Sequence, residues 1–257
     1  MIDTHTHTLM SGHAYNTMQE MINKAIQQQL DVLCITDHGP AMQGAPDEFY
    51  FSNFRVLTKE YYPITQGRLT FDGKYLQVLH GIEANIVDYD GKTDYEDIED
   101  DSLAVKYIIA SFHACCLTPA DEKLNTQAYI KAMEKGYVYQ LGHIDDGNIP
   151  CNYEEIIKAA KKNNVLIEVN NSSNSNNSWR KDSIKNTLEY LQLCKENDTL
   201  ISLASDAHFM EDIANFSNIE PLLKKVNFPD ELVVNYNKQL FLDFVDRKYK
   251  ERLKNAL

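Results

Sequence analysis

The chain has no apolar run near the roughly 18 residues that a bilayer-spanning helix needs, so no membrane span is expected. Its start lacks a basic stretch followed by an apolar one, so no signal peptide is expected either. Basic residues are scarce: 25 Lys and Arg stand against 38 Asp and Glu, for a net charge of -13 and a pI of about 5.0. That balance repels phosphate backbones, and no basic stripe interleaved with aromatics offsets it, so nucleic acid is disfavoured as a partner. A small anion held through bound metal is not excluded. The five cysteines (Cys34, Cys115, Cys116, Cys151, Cys194) form no Cys-x-x-Cys and read as reduced thiols in a cytoplasmic protein. Cys115 and Cys116 follow His113 closely enough to be weighed as extra metal ligands. There is no low-complexity linker, no internal repeat and no shift in composition, which argues for one domain over 1–257. The polar tract at 170–178 is short enough to be a loop.

What is present is an ordinary globular composition, 43% hydrophobic with a mean hydropathy of -0.44 over 257 residues, enough to bury a core without disulfides. Short apolar runs at 2–6, 32–36, 77–86, 106–112, 138–142, 165–170 and 199–204 read as strands. Several are rich in Ile, Val and Leu, as strands buried on both faces should be. Helical patterns lie between them. Thr17-Met-Gln-Glu20 is a capping box followed by apolar Met21, Ile22, Ala25 and Ile26. Asn152 to Glu155 is a weaker version leading into Ile156, Ile157 and Ala160. Segments 124–135 and 181–196 also read as helices, and 237–256 as a long closing helix. Alternating strands and helices predict an α/β fold of parallel strands. Seven strands could close into a relative of the eight-stranded barrel, with a flat doubly wound sheet as the alternative. The stretch 64–75, with Gly67, Asp72 and Gly73, reads as a loop or short hairpin inserted before the third strand.

The histidines fall in a pattern on this scaffold. His5 and His7 end the first strand, with His13 soon after. His38 follows the second strand, Glu83 lies in the third, His113 follows the fourth and His143 the fifth. Asn170 and Asn171 end the sixth, and Asp206 and His208 follow the seventh. Strand C-terminal ends are the rim where parallel α/β folds gather their sites. The two-residue strand repeat puts His5 and His7 on one side, and Asp206 with His208 if the chain stays extended there. Asp3 shares the parity of His5. His80, three residues from Glu83, points away and reads as structural.

Any one of these residues alone has an ordinary reading as a loop polar group, a helix cap or a buried hydrogen-bonded histidine. Together, seven of the eight histidines and two carboxylates at one rim point to metal. Neutral imidazole and carboxylate suit Zn, Fe, Mn or Co. Nine donors are too many for one tetrahedral ion and divide among two or three, with a bridging carboxylate. Such clusters lower the pKa of bound water and neutralise a phosphoryl group in transfer, so hydrolysis of a phosphate ester fits best.

The motifs Asp-Thr-His-Thr-His at 3–7 with His13, Ile-Thr-Asp-His-Gly-Pro at 35–40, Gly-Ile-Glu-Ala-Asn at 81–85, the isolated His113 and His143, Glu-Val-Asn-Asn-Ser-Ser at 168–173 and Ser-Asp-Ala-His at 205–208 resemble the PHP (polymerase and histidinol phosphatase) superfamily. The likeness covers nearly the whole chain in order and is greatest to the YcdX-like phosphatases, which residues 125–128 also resemble. It implies a distorted (β/α)7 TIM-like barrel with three divalent ions, usually zinc, with Fe or Mn as alternatives. It implies that His5, His7, Glu83 and Asp206 hold one ion, that His13, His38 and His208 hold a second, and that His113 and His143 share Glu83 on a third. The chain departs from the family pattern at three places. Segment 64–75 is long and is expected at the pocket mouth. Ile-Asp-Asp-Gly follows His143 where Pro-Gly is common. Cys115 and Cys116 occupy a loop that usually lacks cysteine.

The expected reaction is attack of a metal-bound hydroxide on a small phosphomonoester, with Glu83, Asp206 and His208 catalytic and Arg180 clamping phosphate. A solvated loop arginine is the plain alternative for Arg180. Asp3 and Asp37 are expected to orient ligand histidines, or else to cap turns and strand ends. No serine or cysteine nucleophile motif is visible. A metal-dependent exonuclease and a non-catalytic metal-binding regulatory module are the rival functions. Loops 39–55, 64–75 and 171–181 are expected to set the substrate, and the oligomeric state is left open.

Overall fold

A computed structural model describes residues 1–57, 59–66, 70–98 and 103–255. Its strands are β1 (Ile2–Asp3), β2 (Val32–His38), β3 (Tyr61–Gln66), β4 (Thr70–Asn85), β5 (Tyr107–Ser111), β6 (Gln140–Leu141), β7 (Leu166–Asn170) and β8 (Ile201–Ala204). Seven of them pair in parallel in the order β1-β2-β4-β5-β6-β7-β8.

The two ends of this sheet meet. Thr6 and Ala207 form a parallel bridge, His7 N–H donates to the Ala207 carbonyl at 2.9 Å, and Asp206 N–H donates to the His5 carbonyl at 3.0 Å. The Asn235 amide donates to the carbonyls of both Ile2 and Leu203, at 2.9 and 2.7 Å. The result is a nearly closed seven-stranded α/β barrel, not a flat sheet. Burial follows from that closure: every residue of β2, β5, β7 and β8 is buried, as expected for strands with helices outside and a filled interior. β1 is shorter than the expected 2–6 because it lies at the seam. Past Asp3 its bonds alternate between the β2 side (Thr36 N–H to the Thr6 carbonyl, 2.8 Å) and the segment after β8.

The outer helices are α1 (Met18–Gln27), α2 (Glu48–Ser52), α3 (Glu122–Glu134), α4 (Tyr153–Asn163), α5 (Ser183–Glu196), α6 (Glu220–Val226) and α7 (Lys238–Asn255). The capping box forms as read: Glu20 Oε2 accepts the Thr17 N–H at 2.7 Å, and α1 buries Met21, Ile22 and Ala25. The Asn152 side chain accepts the Glu155 N–H at 3.1 Å at the start of α4. α7 closes the chain as expected over 237–256, residue 256 lying outside the described residues.

The inserted stretch before the third barrel strand is a hairpin, and its position corrects the expectation that it shapes the pocket. β3 pairs antiparallel with β4 from Tyr61↔Gln77 to Gln66↔Thr70, at the end of β4 remote from Glu83. Gly67 lies outside the described residues. Because β4 rises about 3.3 Å per residue, its hairpin end and its rim end are at opposite ends of the barrel.

Candidate metal centre

At the rim, one carboxylate meets five imidazoles. Glu83 Oε2 lies 3.2 Å from His5 Nε2, 3.5 Å from His7 Nε2 and 2.7 Å from His38 Nδ1. Its Oε1 lies 3.0 Å from His143 Nε2 and 3.4 Å from His113 Nε2. Asp206 Oδ1 stands 3.2 Å from His7 Nε2 and 3.6 Å from His208 Nδ1. His13 Nε2 completes the group, 3.0 Å from His208 Nε2 and 3.3 Å from His38 Nε2. Every residue read as a metal ligand is thus in one continuous cluster, and His80 is outside it, buried beside Phe54. Cys115 and Cys116 are also outside the histidine cluster. Cys115 contacts the Met42 sulfur at 3.4 Å, and Cys116 at 3.9 Å.

Two backbone conformations at the rim could not be read from strand parity. Asp206 (φ +55°) and His143 (φ +29°) both lie in the left-handed region, which costs about 1–3 kcal/mol for a non-glycine residue. The chain is therefore not extended at Asp206. It reaches His208 by a turn, with the His208 Nδ1–H donating to the Asp206 carbonyl at 3.0 Å.

The outer hydrogen bonds set which ring nitrogen points inward. His5 Nδ1 faces Glu168 Oε2 at 2.9 Å. His113 Nδ1 faces Asn85 Oδ1 at 2.7 Å, and the Asn85 amide nitrogen is used on Gly39 and Asp94. Ser11 donates its hydroxyl proton to Asp37 Oδ1 at 2.7 Å, so it can only accept from His7 Nδ1, at 2.9 Å. In His5, His7, His113 and His208 the Nδ1 proton is thereby spoken for, and a neutral ring presents the lone pair of Nε2 to the centre. The inward nitrogens crowd one another: His5 and His7 Nε2 are 2.9 Å apart, and His113 Nε2 is 3.1 Å from His143 Nε2. Glu83 Oε2 and His38 Nδ1, buried and close, lack a hydrogen-bond partner. Lone pairs converging with an unbonded carboxylate oxygen are relieved together by a cation, so the donor set fits divalent metal.

Electrostatics agrees. Burial opposes charge on Glu83 and Asp206, yet the surrounding imidazoles hold both well below the usual carboxylate range. Burial likewise opposes charge on His5, but Glu83, Glu168 and Asp206 raise it well above an ordinary histidine, so without a cation its ring holds a second proton at Nε2 that a metal ion would displace. Burial pushes His7, His13 and His113 down to the neutral form that coordinates metal, helped by neighbouring imidazoles.

Sequence reasoning missed Glu168. Its carboxylate accepts from His5 Nδ1, the Gln140 amide, the His143 N–H and the Asn170 amide. The signal was available, a lone acid in the apolar run 165–170 with the parity of Asn170. Asp37 reaches His7 through Ser11, not directly. Of the two roles expected for Asp3, the structure shows the second, with no contact to an imidazole ring among the described residues. Asp3 accepts the Ser205 N–H and hydroxyl and the Ala214 N–H, the strand-end role.

Over the cluster opens a cavity of about 650 Å³ lined on one side by residues of the 172–180 loop and on another by Met42, Ala114 and Cys115. Arg180 lines it and is buried, which corrects the reading of a solvated arginine. Its Nη1 donates to the Ser173 hydroxyl and lies 3.6 Å from Asp206 Oδ2, while its Nε has no partner.

A nearly closed parallel barrel whose strand ends bring seven histidines and two acids into one cluster defines an α/β-barrel protein with a donor set suited to metal at its rim. The chain belongs to the PHP domain family, which it matches over residues 3–172. A probable phosphatase of Clostridium botulinum (strain Langeland) is 40% identical over 250 residues, covering 97% of this chain and 96% of that protein. A probable phosphatase of Clostridium novyi is 39% identical over 251 residues, covering 97% and 96%. Among solved structures, histidinol phosphate phosphatase from Lactococcus lactis, complexed with zinc, L-histidinol and phosphate, superposes with a TM-score of 0.58 at 18% identity, covering 89% of this chain and 94% of its own. That likeness is one of fold.

Proposed function

We propose that this chain is a phosphatase that hydrolyses a small phosphomonoester at a centre of three divalent ions, zinc before Fe or Mn. The observation that carries the reading is Glu83, whose two oxygens address different histidines: His5, His7 and His38 on one, His113 and His143 on the other. A carboxylate so divided suits a bridge. His5, His7, Glu83 and Asp206 would hold one ion, His13, His38 and His208 a second, and His113, His143 and Glu83 a third. The short contacts among His13, His38 and His208, and between His113 and His143, support that division. Metal ions in such a site supply a nucleophilic water of lowered pKa and neutralise charge on the phosphoryl oxygens.

The chain's own side chains do the rest. Glu168, Asn85 and Ser11 keep the inward nitrogens aimed. Arg180, pinned at Nη1 to Ser173, lines the cavity beside Asp206, where its guanidinium would pair with a phosphoryl oxygen. Asp206 and His208 stand at the pocket side of the cluster, where they line the cavity with Glu83. The probable phosphatases among the relatives and the zinc and phosphate of the Lactococcus structure support the reading. A cytoplasmic setting belongs to it, supported by five free cysteines.

The test combines elemental analysis with a screen of phosphomonoesters and single-stranded DNA on the zinc-loaded protein. Phosphate release from monoesters is the expected result. Full metal content with no release would leave a metal-binding module, and DNA degradation well above monoester turnover would make it an exonuclease. Glu83→Ala should lose at least one ion and most activity, and full retention of metal would contradict the bridge.

A further inference from the structure

The loop that carries Arg180 also carries the chain's one tryptophan, and the two residues divide the pocket between them. Arg180 is buried beside Asp206, whereas Trp179 remains 68% exposed at the same cavity, its ring centroid 5.5 Å from the guanidinium carbon. A large aromatic surface left in water beside a cavity is a surface that a ligand can cover with gain. The cavity, at about 650 Å³, falls among sites that enclose a drug-sized molecule, far more than a phosphate group needs. Met42 and Cys115 line it as well, with their sulfurs in contact at 3.4 Å. Soft, polarisable sulfur of this kind packs well on aromatic rings.

Charge narrows the ligand further. Among the described residues lining the cavity, Arg180 is the one Lys or Arg, and it already faces Asp206 at 3.6 Å. A leaving group with a second phosphate or a carboxylate would find no counter-ion there. A short aliphatic alcohol such as glycerol would leave the tryptophan uncovered. Resting on the phosphomonoesterase reading, we infer that the substrate is a monophosphate of an alcohol bearing a neutral planar ring, in the manner of a nucleoside monophosphate, with the ring stacked on Trp179 and the phosphate over Glu83 and Arg180. Trp179 is then a specificity residue that touches the leaving group and takes no part in the bond cleavage.

Because the chain has a single tryptophan, its fluorescence reports this contact directly. Zinc-loaded protein is titrated with adenosine monophosphate, phenyl phosphate, glycerol phosphate and adenosine 3′,5′-bisphosphate. Saturable quenching by the first two, with little from the others, is expected. In turnover, Trp179→Leu should raise KM for the ring-bearing monoesters by about tenfold or more, since stacking of a base on an aromatic side chain is typically worth that much. Its kcat, and all constants for glycerol phosphate, should stay unchanged, and Trp179→Phe should restore most of the loss. Glycerol phosphate hydrolysed as well as the ring esters, with Trp179→Leu indifferent, would overturn the inference and leave the phosphatase reading standing. Quenching by ring monoesters without any turnover would do the reverse, sustaining the stacking site and sinking the phosphatase reading. No quenching by any ester overturns the stacking site.

Discussion

Glu168 Oε2 lies 2.9 Å from His5 Nδ1, deep under the histidine cluster, and both side chains are fully buried. The same carboxylate accepts the N–H of His143, whose backbone is held at positive φ. One acid from β7 thus orients an imidazole just past β1 and supports a strained residue after β6.

Glu168→Ala is therefore expected to loosen metal binding by about 10–100-fold, the usual effect of losing an outer partner of a metal-bound histidine. Glu168→Gln, which keeps an acceptor oxygen, should recover part of it. Competition with a chromophoric chelator measures both, and unchanged affinity in the alanine variant would remove Glu168 from the centre.

Ser11→Ala should also weaken metal binding, because it cuts the path from Asp37 to His7 Nδ1. Asp3→Asn is the contrasting change. Asp3 ties Ser205 and Ala214 but no imidazole, so its loss should cost about 1–3 kcal/mol of stability with metal affinity nearly intact. Urea unfolding and chelator competition on the two variants distinguish these roles; the opposite ranking would restore Asp3 as an orienting group.

The buried histidine outside the cluster should shape the acid side of the stability curve. Burial lowers His80 from 6.5 to about 4. Between those values the unfolded chain binds a proton that the folded chain does not, so stability falls as pH drops from 6.5 towards 4 and this loss is complete below 4. The full shift corresponds to roughly 3 kcal/mol as an upper figure. His80→Leu should flatten that part of the profile, read as urea midpoints at about pH 4.5 and 7 in chelator. Parallel profiles for the two proteins would show that His80 titrates normally.

Gly81 is packed too tightly for a side chain. A Cβ there would stand 2.4 Å from the Tyr107 carbonyl oxygen, across the β4–β5 pairing, and 2.9 Å from the Thr36 methyl. Gly81→Ala should destabilise by about 1–3 kcal/mol, as overpacking in a core does. Since the site lies two residues before Glu83, it should lower activity as well. A urea midpoint equal to that of the parent would contradict the packing.

Much of this protein is legible in order along the chain. The strand runs, the two capped helices and the closing helix follow from apolar period and cap chemistry, which are local. The rim residues follow from the same locality: a histidine at a strand end stays at a strand end whatever the barrel does next. Glu168 was equally legible, as an acid in an apolar strand. For Asp3 two roles stayed open, because its parity with His5 fixes its face but not its neighbour. The hairpin at Tyr61–Gln66 misled because an insertion before a strand can sit at either end of the barrel, and β4 carries it to the end away from the metal rim.

The sequence by itself determined which side chains arrive at the rim, seven histidines, Glu83 and Asp206. Tertiary structure alone decided how they meet. The seam that joins Thr6 to Ala207 brings His7 against Asp206, and the two halves of the cluster come from chain positions far apart. Burial of Arg180, exposure of Trp179, and the positive φ of His143 and Asp206 are likewise visible only in the folded chain. The physical reason is that periodicity records the face on which a residue lies over a few neighbours, whereas distances across a barrel depend on how all its strands pair.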